Sequence, residues 1–340
     1  MNTYLQKDKY NGIIIQLDKK IKERFLMKFI DLFAGIGGFR IALEKYQLDC
    51  IFSSEIDKYA ALTYKENFGE FPEGDITKIS EKKIPKHDIL CAGFPCQPFS
   101  ISGKQEGFND SRGTMFFEIE RITRYHRPKV LFLENVANLK KHEDGETIIK
   151  MKQILEELEY DVFYKVLNAS DYGVPQSRKR VYILAFRKNL NIKEFNFPKE
   201  KNIDIVLEDI LLPEKEVQKY LIKREDINWK EKNILEIKRQ QKPIRIGTIN
   251  KGGQGERIYS PKGHAITLSA TGGGPGAKTG AYYVNGNIRK LSPVECKLVQ
   301  GFPNNFKIPV SDSQAWKQFG NSVAIPVLNE IIGEILKLKI

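Results

Sequence analysis

Short apolar segments alternate with amphipathic ones between residue 27 and about residue 190. Apolar runs bounded by polar residues are typical of buried β-strands, and they stand at 27–33, 50–55, 87–94, 129–136, 161–169 and 180–186. The segments between them have the periodicity of helices, at 39–46, 58–68, 116–126 and 147–160. The pattern predicts an α/β fold, with a mostly parallel, Rossmann-like sheet covered by helices on both faces.

The pattern changes beyond residue 190. Residues 191–245 are rich in Lys and Glu, and eleven of the 26 glycines fall between Gly247 and Gly286. Glycine at this density predicts a smaller domain of short strands and loops. A final apolar helix, 325–340, is expected to return to the first domain. The predicted organisation is an N-terminal extension (1–26), a catalytic domain (27–208, completed by 320–340), a second domain (209–291) and a connection (292–319).

Composition narrows the class of protein. With 340 residues, 41% of them hydrophobic and 29% charged, the chain is a globular protein, and a net charge of +12 favours a polyanionic partner such as nucleic acid. Its four cysteines have neither disulfide nor zinc spacing and its four histidines are scattered, so we expect no metal. No apolar run is long enough for a membrane span or a signal peptide, so we expect a cytoplasmic location.

The glycine-rich segment "DLFAGIGG" (31–38) joins the first predicted strand to the first helix. Glycines there let a ligand approach the backbone at the helix N-terminus, although a tight connection alone would also use them. A dinucleotide fingerprint needs a third glycine at position 40, which is Arg40. The turn therefore fits S-adenosylmethionine (SAM), which has no phosphate, better than a dinucleotide.

Two carboxylates accompany this turn. Glu55 ends the second strand and suits a ribose diol, and Asp75, in "GDIT" after another predicted strand, suits an adenine amino group. Ligands of open α/β sheets bind at the carboxyl ends of strands, so these positions favour a nucleoside site over a plain turn.

Cys96 stands between Pro95 and Pro98, two residues after the strand that contains Cys91. A free cysteine usually packs as a small buried hydrophobe, and Cys91 fits that role. Cys96 fits it poorly, because the prolines hold it on a turn at the same edge as the glycine-rich segment. A nucleophilic thiolate is the alternative. The following loop contains three glycines and is expected to act as a lid.

Three more charged residues follow. Glu134 ends the apolar run "LFLENV", where a carboxyl group acts either as an acid with a raised pKa or as a cap or salt-bridge partner. Arg178 and Arg180 stand two apart in "QSRKRVY". On a strand they share a face, which fits either an anion site or a solvated basic edge.

Five motifs together resemble one family. "DLFAGIGG", "GFPCQPFS", "ENV", "QSRKR" and "GNSV" occur in the order and spacing of the cytosine-5 DNA methyltransferases, and the likeness extends from residue 27 through nearly the whole chain. The resemblance implies SAM as methyl donor and double-stranded DNA as substrate, with the target cytosine flipped out. It also implies that Cys96 adds to cytosine C6, that Glu134 acts at N3, and that Arg178 and Arg180 hold O2 or a phosphate.

The resemblance assigns further residues. The cofactor-binding candidates are Phe33, Gly35, Ile36, Gly38, Glu55, Ile56, Asp75, Ile76, Pro95 and Asn321. The DNA-binding candidates are Ser100, Ser102, Gln254, Arg257, Ser269 and Thr271, in the lid and in the glycine-rich domain. Ile56 stands where the family often has Trp, and Thr271 stands where one similar member has Tyr. By this likeness the recognition sequence is GCGC, in a monomeric bacterial enzyme that works independently of a cognate restriction endonuclease.

Other functions remain open on sequence grounds. A tRNA cytosine-5 methyltransferase shares these motifs, but its lineage lacks this form of glycine-rich domain. A catalytically silent DNA-binding protein would not need the full set of reactive residues. Arg40 disfavours an NAD-dependent enzyme, and the missing Asn/Asp-Pro-Pro-aromatic motif disfavours an amino-methyltransferase.

Overall fold

The computed structural model describes residues 27–95, 114–201, 203–231 and 233–340. The predicted N-terminal extension therefore lies outside the described residues. So do Cys96, Ser100 and Ser102, with the loop that follows Cys96.

The first domain is built on a six-stranded sheet. Its strands follow the order β2-β1-β3-β4-β6-β5. They are β1 (Lys28–Leu32), β2 (Asp49–Ser54), β3 (Ile89–Gly93), β4 (Val130–Val136), β5 (Tyr160–Asn168) and β6 (Lys179–Arg187). The first four pair in parallel, whereas β6 runs antiparallel to both β4 and β5. The predicted α/β sheet is confirmed, with an antiparallel end.

Helices cover both faces of this sheet. They are α1 (Gly38–Glu44), α2 (Lys58–Phe68), α3 (Thr114–His126) and α4 (Glu146–Glu157). Neighbouring residues of β1 face opposite sides, as strand geometry requires. Phe29 packs in the core that includes Phe39 of α1, and Ile30 packs in the core that includes Ile119 of α3. Two apolar cores therefore hold the sheet from above and below.

The glycine-rich part of the chain forms a second sheet. Its strands follow the order β11-β10-β9-β8-β7. They are β7 (Ile227–Trp229), β8 (Ile244–Ile249), β9 (Arg257–Ser260), β10 (Ala281–Val284) and β11 (Asn287–Arg289). A short helix, α5 (Glu214–Val217), precedes it. The sheet has a small core of its own, made by Ile246, Ile249, Ile258, Ala281 and Ile288.

The chain ends with three helices, α6 (Pro293–Val299), α7 (Asp312–Asn321) and α8 (Ile325–Lys337). The last of them packs against α1, where the Tyr46 hydroxyl donates to the carbonyl oxygen of Asn329 at 2.9 Å. A Cβ atom at Gly38 would lie only 2.4 Å from Cγ2 of Val323. The C-terminal segment therefore forms one wall of the first domain. No helix in the described ranges is long and apolar enough to cross a membrane.

One element differs from the sequence prediction. We expected Asp75 to follow a strand, but it begins a short 3₁₀ turn, Ile76–Lys78, and accepts from the Thr77 amide. Only a single bridge, between Ser54 and Glu73, ties this segment to the sheet. A single bridge requires no alternating apolar run, so the sequence contains no pattern that would predict it.

A histidine pair, His87 buried and His126 half-buried, lies at the sheet edge opposite the carboxyl ends of β1–β4. Nδ1 of His87 lies 2.8 Å from the Pro85 carbonyl oxygen, and Nε2 of His126 lies 2.8 Å from that of Glu81. A carbonyl only accepts, so each of these nitrogens carries a proton. The two ring centroids are 4.9 Å apart. Burial and the neighbouring His126 lower the pKa of His87 to about 4.

This shift predicts acid sensitivity. The pKa of His87 is about 4 in the folded chain and about 6.5 when unfolded. The stability it contributes is therefore full above the unfolded value and is lost as pH falls towards the folded one. When the pH falls from 7 to 5, the free energy of unfolding should therefore drop by about 2 kcal/mol less in His87→Gln than in the parent protein. Urea denaturation of both proteins at each pH measures this, and parallel losses would contradict it.

Candidate active site

Functional side chains gather at one edge of the six-stranded sheet. The carboxyl ends of β1 to β4 meet there, and because β6 is antiparallel, its amino end joins them: Val136 pairs with Arg180. The strand order reverses between β1 and β3. Open α/β sheets bind ligands in the crevice at such a reversal, so this edge is the candidate site.

The glycine-rich turn after β1 needs its glycines for different reasons. Phe33, Gly35 and Gly37 all have positive φ, at 56°, 56° and 84°. A Cβ atom at Gly37 would lie 2.2 Å from the ring of Phe68, whereas one at Gly35 would have no neighbour within 4 Å. Gly37 therefore serves packing, and Gly35 borders open space that a ligand can occupy.

Glu55 fixes this turn. One carboxylate oxygen accepts from the Gly35 amide at 2.7 Å, and the other accepts from the Asp57 amide at 2.7 Å. Burial raises the pKa of Glu55, although these amides oppose the rise. Ile56 follows with 73% of its surface exposed. A fixed carboxylate beside an exposed apolar side chain suits a ribose joined to a flat base.

Asp75 is brought beside Glu55 through the main chain. The Glu55 amide donates to the carbonyl oxygen of Glu73 at 2.8 Å, two residues before Asp75. The carboxylate of Asp75 accepts from the Thr77 hydroxyl at 2.7 Å. This bond is the main reason that the pKa of Asp75 is lowered. The two predicted nucleoside carboxylates therefore lie on adjoining segments.

The other cofactor candidates separate by burial. The side chains of Ile36 and Ile76 pack in the apolar cores, and Gly38 packs against the C-terminal segment. Their main chains remain the only groups they can offer to a ligand. Pro95 and Asn321 are exposed at the sheet edge, and Phe33 is half-buried.

Glu134 ends β4 as a buried carboxylate, 7% exposed. One of its oxygens lies 3.1 Å from Nε of Arg180. The other would lie 3.9 Å from a Cβ atom at Gly93, three residues before Cys96. Burial raises the pKa of Glu134, while Arg180 and Arg178 lower it. A buried carboxyl group with a raised pKa therefore lies next to Gly93–Pro95, the residues that lead to Cys96, which we call the stem of the Cys96 loop.

The two candidate arginines have different partners. Arg180 pairs with Glu134, as described. Arg178 is buried, and its guanidinium donates to the main-chain carbonyls of Leu268, Gly320 and Ser322. Burial and the positive charge of Arg180 lower the pKa of Arg178 to about 9, so it remains a cation at neutral pH.

Four of the six predicted DNA-binding residues lie on the second sheet or on the loops between its strands. Gln254, Ser269 and Thr271 line one cavity of about 150 Å³. Two glycine-rich loops form it, and they touch so closely that a Cβ atom at Gly255 would lie 1.9 Å from the carbonyl oxygen of Gly273. Arg257 does not line this cavity; it begins β9 and is half-buried. Three of the four described DNA candidates are therefore together.

Comparison with known proteins agrees with this geometry. A family model described as C-5 cytosine-specific DNA methylase matches residues 27–337. The chain belongs to this family. It is accordingly a DNA (cytosine-5) methyltransferase, and SAM is the methyl donor that membership implies.

Individual relatives cover the chain almost completely. Type II methyltransferase M.HhaI of Haemophilus parahaemolyticus is 54% identical, over 94% of this chain and 99% of its own length. Type II methyltransferase M.HpaII of Haemophilus parainfluenzae is 42% identical, over 93% and 90%. The S. pombe Dnmt2 methyltransferase structure has a TM-score of 0.70 at 19% identity, covers 92% of this chain and 98% of its own, and shows the same fold.

Sequence reasoning missed two residues of this methyltransferase site. The Asn135 side chain donates to the carbonyl oxygen of Phe94 at 3.0 Å, which anchors the stem of the Cys96 loop. Gln176 is completely buried and bridges the Leu268 amide and the Val299 carbonyl. Both lie inside the motifs "ENV" and "QSRKR", and this was the sequence signal by which they could have been found. Within the described ranges, no three metal-binding side chains come together.

Asn135 yields a prediction. Asn135→Ala removes the side-chain amide that donates to the Phe94 carbonyl oxygen. The buried oxygen then lacks this donor, which costs about 1–3 kcal/mol. We expect methyl transfer to slow by at least about tenfold at a temperature where the variant is fully folded. Transfer of tritiated methyl groups to DNA measures the rate. Val136→Ala, at the exposed next position, is the control. Equal rates for both variants would contradict the anchoring role.

Proposed function

We propose that this enzyme methylates C5 of a cytosine that has left the stacked duplex, and that it does so at the edge formed by β1, β3, β4 and β6. The observation that carries the proposal is the convergence there of the Glu55 turn, the Glu134–Arg180 pair and the stem of the Cys96 loop. Groups suited to the nucleoside of SAM and groups suited to the target cytosine therefore meet at this edge.

The residues present fit SAM. Glu55 would hold the ribose hydroxyls, Ile56 would cover one face of the adenine, and Asp75 would accept from the adenine amino group. The open space at Gly35 gives the donor access to the main chain. Asn321, exposed at the end of α7, would complete the site from the C-terminal side. When bound, SAM supplies the methyl group.

Cytosine C5 is too weak a nucleophile to accept a methyl group unaided. We propose that the Cys96 thiolate adds to C6, which makes C5 nucleophilic. Glu134 would hydrogen-bond N3 and stabilise the adduct, and the burial that raises its pKa supports this role. Arg180 would offset charge that develops on the ring. After methylation, loss of the C5 proton to solvent and cleavage of the S–C6 bond give 5-methylcytosine and release the thiolate.

None of these atoms is reachable inside a stacked helix, so the base must flip out, at a cost of a few kcal/mol. Ser100 and Ser102 would approach the DNA from the loop after Cys96. Gln254 would fill the vacated position from the opposite side, and its exposure on a short turn supports this. Ser269 and Thr271 would contact base edges or phosphate, and Arg257 is suited to a guanine.

The 54% identity to M.HhaI supports a role in a bacterial restriction–modification system with GCGC as the recognition sequence. We also propose that the enzyme acts as a monomer in the cytoplasm, without its cognate endonuclease. A tRNA substrate has no specific observation in its favour. Comparing methyl incorporation into duplex DNA and tRNA distinguishes the two.

The thiolate mechanism predicts a trapped complex. In 5-fluorocytosine the methylated adduct has no C5 proton to lose, so the S–C6 bond persists. Duplex DNA with 5-fluorocytosine at the target, mixed with enzyme and SAM, should give a covalent complex joined through Cys96. Denaturing electrophoresis and peptide mass spectrometry detect it.

The matched variants are Cys96→Ser and Cys50→Ser. The first should lose turnover and trapping but still bind DNA, and the second should keep all three. Methylation retained by Cys96→Ser, or a complex joined through another residue, would reject the nucleophile assignment.

The recognition proposal predicts a methylation map. Bisulfite sequencing of DNA from cells that express the enzyme should place 5-methylcytosine at GCGC. Gln254→Ala and Arg257→Ala should weaken binding to that duplex more than to a random one, because a bidentate base contact contributes about 1–3 kcal/mol of discrimination.

Arg239→Ala is the control. Its guanidinium already pairs with Asp209 and Glu208 at the surface. It should change binding to both duplexes equally. If Gln254→Ala and Arg257→Ala weaken binding to both duplexes equally, the two residues contact the DNA backbone. If bisulfite sequencing finds 5-methylcytosine in another sequence, that sequence replaces GCGC.

A further inference from the structure

The segment before β6 lies directly against the loop that leads to the DNA-reading residues. The Ser177 amide donates to the Ala265 carbonyl at 2.9 Å, and the Ala265 amide donates to the Pro175 carbonyl at 2.7 Å. The Thr267 hydroxyl donates to the Ser177 carbonyl at 2.6 Å. We call this set of hydrogen bonds the seam. It joins the methyltransferase domain to the recognition domain, mainly through main-chain atoms.

One buried side chain crosses the seam. Arg178 is 2% exposed, and its Nη1 donates to the Leu268 carbonyl at 3.1 Å. Its Nη2 donates to the Gly320 carbonyl at 3.1 Å and also to the Ser322 carbonyl. A single guanidinium therefore joins three parts of the chain: the segment before β6, the recognition loop and the end of α7.

The three carbonyls border the two proposed ligand sites. Leu268 immediately precedes Ser269, a DNA candidate. Gly320 and Ser322 are the two neighbours of Asn321, a cofactor candidate. The guanidinium thus fixes the main chain one residue from each site, while its own hydrogen bonds go to protein.

The contact leaves no space for independent movement. A Cβ atom at Gly320 would lie 2.3 Å from the carbonyl carbon of Ser269. Gln176 supports the same loop, because its side chain accepts from the Leu268 amide at 3.1 Å and donates to the Val299 carbonyl at 2.9 Å. Displacement of the recognition loop must therefore be transmitted to the segment that carries Asn321.

We propose that Arg178 is a positioning residue that couples cofactor binding to DNA binding, by holding the Asn321 segment and the Ser269 loop in one arrangement. This rests on the proposed roles of Asn321 and Ser269. Arginine suits the task because its planar fork presents several donors in fixed directions. Lysine keeps the charge but cannot reproduce three such bonds.

The test is a binding cycle with S-adenosylhomocysteine and the duplex that bisulfite mapping identifies. The DNA dissociation constant is measured with and without saturating S-adenosylhomocysteine, and the ratio is the coupling factor. We expect about tenfold for the parent enzyme, within the usual range of such couplings. Arg178→Lys should bring the factor close to one while each ligand, tested alone, still binds.

Two variants accompany it. Arg187→Lys is the control, because Arg187 also donates to a main-chain carbonyl, that of Arg127, but at the far end of β6. It should keep the parent coupling. Thr267→Val removes only the hydroxyl bond to Ser177 and should lower the factor about twofold to threefold. It keeps the proposal testable if Arg178→Lys fails to fold.

The outcomes separate the hypotheses. A parent enzyme that binds both ligands with a factor of one refutes coupling. If Arg178→Lys keeps the parent coupling factor, the proposed coupling through the seam is refuted. If Arg178→Lys does not fold, a parent coupling factor in Thr267→Val refutes it. A factor unchanged in Arg178→Lys with kcat strongly reduced would instead make Arg178 a catalytic contact to cytosine. Absence of S-adenosylhomocysteine or DNA binding by the parent would refute the proposed function itself.

Discussion

The structure depends on a steric constraint: the segment around Gly320 and Val323 approaches two other parts of the chain with no room for added side-chain atoms. On one side a Cβ atom at Gly38 would lie 2.4 Å from Val323, and on the other Gly320 lies against the main chain of Ser269. The first helix, the segment Gly320–Val323 and the Ser269 loop are therefore packed as one unit. Close packing of this kind transmits displacement instead of absorbing it.

Burial of charge gives the site its chemistry. Glu134, Arg178 and Glu55 lie at one sheet edge, largely removed from water, and each has its pKa moved by that burial. Each also has partners that hold its orientation. Groups that are fixed before the substrate arrives need no reorganisation during the reaction, which is the main source of electrostatic catalysis.

Local patterns foretold much of this fold. Helix α2 has the predicted bounds, 58–68, and the strands lie where the apolar runs stand, because both signals depend on neighbouring residues. Strand direction is not encoded locally, so the antiparallel β6 was not foreseen. Arg178 shows the same limit within the site. Its three carbonyl partners lie 90, 142 and 144 residues away, and periodicity along the chain gives no sign of a side chain that binds main-chain atoms.

The seam has an evolutionary consequence. On the side of the Ser269 loop, most of the atoms that form hydrogen bonds across the seam belong to the main chain, which hardly differs between amino acids. The small core of the second sheet is also separate from the cores of the first domain. Side chains on the glycine-rich loops can therefore diverge without disturbing how the loops dock. If these loops read DNA as proposed, new target sequences can arise by substitution there while the sheet edge stays unchanged.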